Sequence, residues 1–149
     1  WYRESVCLNL DMAVRRLETL RAQGAEVVDV GAESTLPHAA RASAQKQQSL
    51  VLPLLSEARK RKIPISIETY STPVAKNCLA AGATVINLTR GTGGRDIFEL
   101  VAEHNAAVIL CYVQGRHVRA VDELKFAANP MAVMYEYFAR QSAAAEACG

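Results

Sequence analysis

Four short runs of apolar, β-branched residues punctuate the chain, at 27–31, 65–70, 84–89 and 107–113. They are nearly continuous rather than alternating, which is how strands read when both faces are buried in a parallel sheet. Between them the apolar positions change to a helical period. Leu10, Ala13, Val14, Leu17 and Leu20 form one stripe that stops at Gly24. Leu50, Val51, Leu54, Leu55 and Ala58 form a second, ahead of the basic run Arg59-Lys60-Arg61-Lys62. That run suits a helix C-terminus and a solvated face. Pro53 inside the stripe predicts a kink or the helix's true start. Thr72-Pro73 reads as a cap with proline at the first helical position, and Gly82 as the stop. Ile97, Leu100 and Val101 mark a fourth helix. Asn129-Pro130 opens a fifth with Val133, Met134, Tyr137 and Phe138 as its stripe.

The order α-β-α-β-α-β-α-β-α with short joins predicts right-handed crossovers and a parallel sheet. Two architectures fit, an open doubly wound sheet or part of a (β/α)₈ barrel. A full barrel takes about 200–250 residues or more, so four strands in a single domain over 1–149 supply about half of one.

Composition narrows the picture. The chain has 149 residues, half of them hydrophobic and 21% charged, which fits a globular domain and not disorder. A net charge of +2 predicts neither a nucleic-acid footprint nor an electrostatic membrane anchor. No apolar run approaches the roughly 18 residues of a membrane helix. Cys7, Cys78, Cys111 and Cys148 are scattered without a C-x-x-C pair, which points to reduced thiols in a cytoplasmic protein. The opening Trp1-Tyr2-Arg3-Glu4 has no signal pattern and no initiator Met, and predicts a fragment of a longer chain.

In either architecture ligands bind outside the carboxyl ends of the strands. Those ends read Asp29-Val30-Gly31-Ala32-Glu33-Ser34-Thr35, Glu68-Thr69-Tyr70, Asn87-Leu88-Thr89-Arg90-Gly91 and Cys111-Tyr112-Val113-Gln114-Gly115. An Asp, a Glu and an Asn on adjacent strand ends are costly unless something pairs with them. Asp29 could equally satisfy a neighbouring strand's polar group, and Asn87 could cap its strand. Glu68 lies among apolar neighbours and points to a ligand or a buried partner. Arg90-Gly91-Thr92-Gly93-Gly94 looks like a phosphate cradle before a helix but matches no nucleotide-binding motif. His38, His104 and His117 show no metal or triad spacing, and Cys111 reads as a small core residue rather than a nucleophile.

Four phrases together resemble the dihydropteroate synthase family of pterin-binding (β/α)₈ barrels. Val28-Asp29-Val30-Gly31-Ala32-Glu33-Ser34-Thr35-Leu36-Pro37 is similar to D-[IV]-G-G-E-S-T-R-P, and Ile65-Ser66-Ile67-Glu68-Thr69-Tyr70 to S-[IV]-D-T-[YS]. Ala81-Gly82-Ala83-Thr84-Val85-Ile86-Asn87 resembles A-G-A-x-[IM]-I-N-D, and Leu110-Cys111-Tyr112-Val113-Gln114-Gly115 resembles L-M-H-M-[QR]-G. The resemblance implies a transferase joining a pterin methyl pyrophosphate to p-aminobenzoate in folate biosynthesis. It implies that this chain supplies the second to fifth strands, so that essential strands lie outside it. It carries substrate-binding roles onto Asp29, Thr35, Glu68 and Asn87, and assigns no catalytic residue. No cofactor or bound metal is implied, with Mg²⁺ admissible alongside a pyrophosphate substrate. The expected partners are a small-molecule pterin and either a second copy or a complementing barrel half, with no nucleic acid and no membrane.

The departures are Leu36 for the family's arginine, Leu88 for its aspartate, Tyr112 for its histidine and Glu68 for an aspartate. They put standard synthase catalysis in question. Two further readings stay open on the same residues: a methyltetrahydrofolate-dependent methyltransferase-like pterin domain, and a non-catalytic half-barrel that binds a small molecule.

Overall fold

A computed structural model of the chain describes residues 5–36, 38–91, 94–122 and 129–149. The opening at Trp1 to Glu4, Pro37 of the first phrase, and Thr92 and Gly93 of the glycine-rich loop lie outside the described residues.

Four strands, β1 (Val28–Gly31), β2 (Ile65–Thr69), β3 (Val85–Leu88) and β4 (Ala107–Leu110), pair in parallel in chain order. The register sets Gly31 beside Glu68, Glu68 beside Asn87, and Asn87 beside Ile109. The helices are α1 (Leu10–Ala22), α2 (Ala44–Lys60), α3 (Thr72–Ala80), α4 (Arg95–Glu103) and α5 (Pro130–Glu146), each packed on the next. Asn9 caps α1 by accepting from the Met12 N–H at 2.9 Å, and Ser43 caps α2 by accepting from Lys46. Gly24 and Gly82 end α1 and α3 with positive φ, a conformation that costs glycine little.

One face of the sheet carries the core. Val28, Ile65, Ile67, Ile86 and Leu88 meet Leu17, Val51, Leu54, Leu55, Val74, Cys78, Leu79, Ile97, Phe98 and Val101. The other face is open: Val27 and Ile109 are each 46% exposed, and Asp29 is exposed. A doubly wound sheet reverses its strand order and covers both faces. Chain-order strands with a single continuous layer of helices are instead the winding of a (β/α)₈ barrel, and the open face is the one that lines a barrel's interior.

The structure departs from the local sequence expectations in four places. The strands are shorter at their ends than the apolar runs. Helix α2 begins at Ala44, so Pro53 lies inside it and does not mark its start. Tertiary packing of Val51, Leu54 and Leu55 outweighs the one backbone hydrogen bond that proline removes. Ser71, not Thr72, is the α3 cap residue, and Thr72 turns its hydroxyl to Asp96. After β4 the chain forms an unanticipated antiparallel hairpin, β5 (Gly115–His117) and β6 (Ala120–Val121).

Candidate functional site

Side chains on the open face alternate along each strand, so Asp29 of β1, Ser66 and Glu68 of β2, and Asn87 of β3 share it. Strands β1 and β3 lie two spacings apart, roughly 10 Å. Asp29 and Asn87 nonetheless meet: the Asn87 side-chain amide donates to the Asp29 carboxylate at 3.1 Å. This bridge crosses over β2, where Ser66 is the register neighbour of Asp29. Ser66 is 1% exposed although it lies on the open face. The other end of the Asn87 amide accepts from the Cys111 thiol at 3.1 Å.

Glu68 leans toward β1. A Cβ on Gly31 would lie 2.9 Å from its Oε2, so the absence of a side chain there is what lets the carboxylate settle over β1. Burial pushes the Glu68 carboxyl above its ordinary value, and the neighbouring Asp29 charge adds to the push. The Cys111 thiol is raised by burial first and then by Glu68 and Asp29, which suits a hydrogen-bond donor rather than a thiolate nucleophile. Asp29, Gly31 and Glu68 also line a cleft of about 570 Å³ along the β1 edge, together with residues 5–10 and α1.

Thr35 sits on the β1–α2 loop and shares a small polar cavity of about 10 Å³ with Glu33, Gln47, Glu68, Thr89 and Arg119. Glu68 and Asn87 lie side by side toward the carboxyl ends of β2 and β3, whereas Asp29 lies two residues nearer the amino end, in register with Ser66, and Asn87 reaches back to it. Asp29, Glu68 and Asn87 are grouped directly, and Thr35 is joined to them through the cavity it shares with Glu68.

A second polar layer surrounds this group and was not anticipated. Glu33 accepts from the Ala42 N–H at 2.9 Å and from the Tyr70 hydroxyl, and pairs with Arg119 at 3.8 Å. Burial alone would raise the Glu33 carboxyl, but Tyr70, the Ala42 amide, Arg119 and Arg41 outweigh it and hold it below its ordinary value. Tyr70 is raised by burial and then by its bond to Glu33, and it accepts from Arg41 at 2.8 Å. His117 of the hairpin stacks on Tyr70 with ring centroids 4.0 Å apart, and burial with Arg41 and Arg116 pushes it down. Glu33 and Tyr70 both stood within the strand-end phrases. Arg119 carried no signal, because the stretch after Gly115 shows neither a helical nor a strand period.

The departures each have a physical place. Leu88 points to the helix side and is 2% exposed, so a carboxylate there would be buried in the core. Tyr112 accepts from Gln114 at 2.9 Å and stacks edge-on against Tyr137 of α5, so an aromatic cluster uses it. Leu36 is half-buried on the loop. Among the described residues no group of three His, Cys, Asp or Glu gathers to hold a metal, and no helix is long and apolar enough to cross a membrane.

Comparison with known proteins agrees with this geometry. The model of the family described as pterin binding enzyme matches residues 1–149. The dihydropteroate synthase of Staphylococcus haemolyticus is 32% identical over 105 residues, covering 70% of this chain and 39% of that protein. That of Streptococcus pyogenes serotype M1 is 36% identical over 108 residues, covering 71% and 41%. Among solved structures, Burkholderia cenocepacia dihydropteroate synthase complexed with 7,8-dihydropteroate superposes with a TM-score of 0.85 at 29% identity, covering 94% of this chain and 50% of that one. The Thermus thermophilus enzyme in complex with 4-aminobenzoate gives 0.81 at 26% identity, covering 95% and 55%. The chain thus spans about half of the structures it matches, and its four strands are part of their (β/α)₈ barrel. By this match over its whole length, the chain belongs to the pterin-binding enzyme family.

Proposed function

We propose that this chain provides the pterin-recognition half of a dihydropteroate synthase-type barrel, which joins a pterin methyl pyrophosphate to p-aminobenzoate in folate synthesis. The observation that carries the reading is the Asp29–Asn87–Glu68 group on the open face of a half-barrel. A pterin presents a flat edge of alternating N–H donors and ring acceptors. A carboxylate beside a carboxylate–amide bridge offers acceptors and a remaining amide N–H for such an edge. The solved relatives that hold 7,8-dihydropteroate and 4-aminobenzoate support it. In that reaction the aromatic amine attacks the pterin methylene carbon, the C–O bond to pyrophosphate breaks, and the pyrophosphate leaves with the electron pair. The protein's part is to position the two partners and stabilise the departing charge. Thr35 belongs on the side of the leaving group and the aminobenzoate.

A Mg²⁺ ion in this reading comes with the pyrophosphate oxygens, and no step here depends on it. We further place the chain in the cytoplasm, where its four free cysteines stay reduced. Its open face takes either a complementing barrel half or a second copy. Titration with a fluorescent pterin tests the site: binding by the wild type and at least tenfold weaker binding by Glu68→Ala is the expected result. Equal affinity for the two removes Glu68 from recognition.

A further inference from the structure

The β5–β6 hairpin reaches back across the mouth of the sheet and is fastened there at several points. The Val118 N–H donates to the Thr89 carbonyl at 3.0 Å, the Gly91 N–H donates to the Arg116 carbonyl at 3.0 Å, and His117 stacks on Tyr70. Gly91 is held so close that a Cβ there would lie 1.8 Å from the Gly115 carbonyl oxygen. The hairpin is therefore a fixed part of the fold, and what it carries is Arg119.

The Arg119 side chain is 3% exposed, yet it does not serve the hairpin's own backbone. Its guanidinium donates to the Ser34 carbonyl at 2.6 Å, to Ala39 at 2.6 Å and to Ala40 at 3.4 Å, and lies 3.8 Å from the Glu33 carboxylate. Every one of those acceptors belongs to the β1–α2 loop. They flank Thr35 on both sides, and Thr35 and Arg119 line the same cavity as Glu68. A planar guanidinium holds five donors in a rigid fork, so it grips carbonyls spread along a loop with less loss of freedom than a lysine ammonium, a point with three donors on a flexible stem.

We propose that Arg119 is the positioning residue of the β1–α2 loop, a hairpin-borne clamp that sets Thr35 relative to Glu68. Where the loop threonine meets ligand, this rests on the proposed function; the clamp itself rests on the geometry alone. It predicts that the loop's order depends on a residue eighty-odd positions away in the chain, and that the loop side of the ligand site depends on it too, while the pterin end does not.

Backbone hydrogen exchange on the full chain tests the clamp, comparing wild type, Arg119→Lys, Arg119→Met and the exposed hairpin control Arg116→Ala. The hydrogen-bonded loop amides of Leu36, Ala39 and Ala42 should exchange roughly tenfold faster or more in both Arg119 variants, the scale of losing charge-assisted hydrogen bonds. Amides of β2, β3 and α3 should keep wild-type protection, and Arg116→Ala should match wild type throughout. Unchanged loop protection in Arg119→Lys and Arg119→Met overturns the proposal. So does global loss of protection in both, because Arg119 would then be a general core group. The ligand arm uses pteroate and a pterin lacking the aminobenzoate. Arg119→Lys should weaken pteroate about tenfold and leave the bare pterin unchanged, and equal loss for both overturns the positioning role. A wild type that binds neither compound refutes the proposed function, and the exchange result alone then decides the clamp.

Discussion

Two carboxylates at the mouth of the sheet are driven in opposite directions by their surroundings. Burial and the Asp29 charge raise Glu68 above its ordinary 4.5, so the folded state keeps a proton that the unfolded chain has released in the window above 4.5. Stability therefore falls as pH rises through that window. Glu68→Gln should unfold at a higher temperature than wild type at neutral pH, with the advantage shrinking below pH 4.5. Glu33 is held below 4.5, so its contribution is present above 4.5 and lost as pH falls through its folded value. Glu33→Gln should be less stable at neutral pH and converge with wild type in acid. Thermal melts across pH check both, and like-signed effects would contradict the assignment. Gly31→Ala is tight only against the far end of Glu68, its other contacts being at ordinary van der Waals distance, so it should cost little stability, about 1 kcal/mol or less. It should still displace that carboxylate and weaken pterin binding. At this scale the strand-end polar residues were legible because a carboxylate or amide among apolar neighbours demands a partner. Their partners were not, because Asn87 reaches across a whole strand and Arg119 comes from a remote hairpin.

Helices and strands were legible wherever the period was strong, and the misplacements lie where packing outvotes local preference. Pro53 is tolerated within α2 because its neighbours Val51, Leu54 and Leu55 are buried. The hairpin went unread because its strands are three and two residues long, too short to show a period. Helix α5 was legible as an apolar stripe, but its attachment is polar as well as apolar. The buried Tyr137 hydroxyl reaches the carbonyls of Gly91 and Cys111, tying α5 to the loop after β3 and to the end of β4. The hydroxyl's single proton serves these carbonyls between them, so Tyr137→Phe should leave one buried acceptor short of a donor and destabilise the chain by roughly 1–3 kcal/mol. Denaturant unfolding measures it, and an unchanged midpoint would mean that the anchor is the ring alone.

For the molecule as a whole, the open face is the dominant fact. Val27 and Ile109 are exposed on it, and β1 and β4 present their outer edges. Among the described residues no strand pairs with those edges, and unpaired edges invite pairing with another chain. Helix α5 does not fold across the face as a cover; it packs beside α4. The chain alone should therefore associate, and light scattering should give a mass above 16.2 kDa at micromolar concentration. A monodisperse monomer would show that the exposed face is tolerated in water.

The chain-order sheet also bears on how the molecule forms. Every strand pairs with the strand of the next βα unit, and every helix packs on its successor, so no contact in the sheet waits for a distant segment. The entropy lost in closing each loop is small and is met one unit at a time. A chain emerging from the ribosome could complete β1–β2 with its two helices, then add β3, then β4, each step resting on a finished template. Its later steps are of a different kind. Arg119 must travel back to a loop made long before, and Tyr137 of α5 after it must reach back to Gly91 and Cys111, so the mouth of the sheet is the part that waits longest for its contacts.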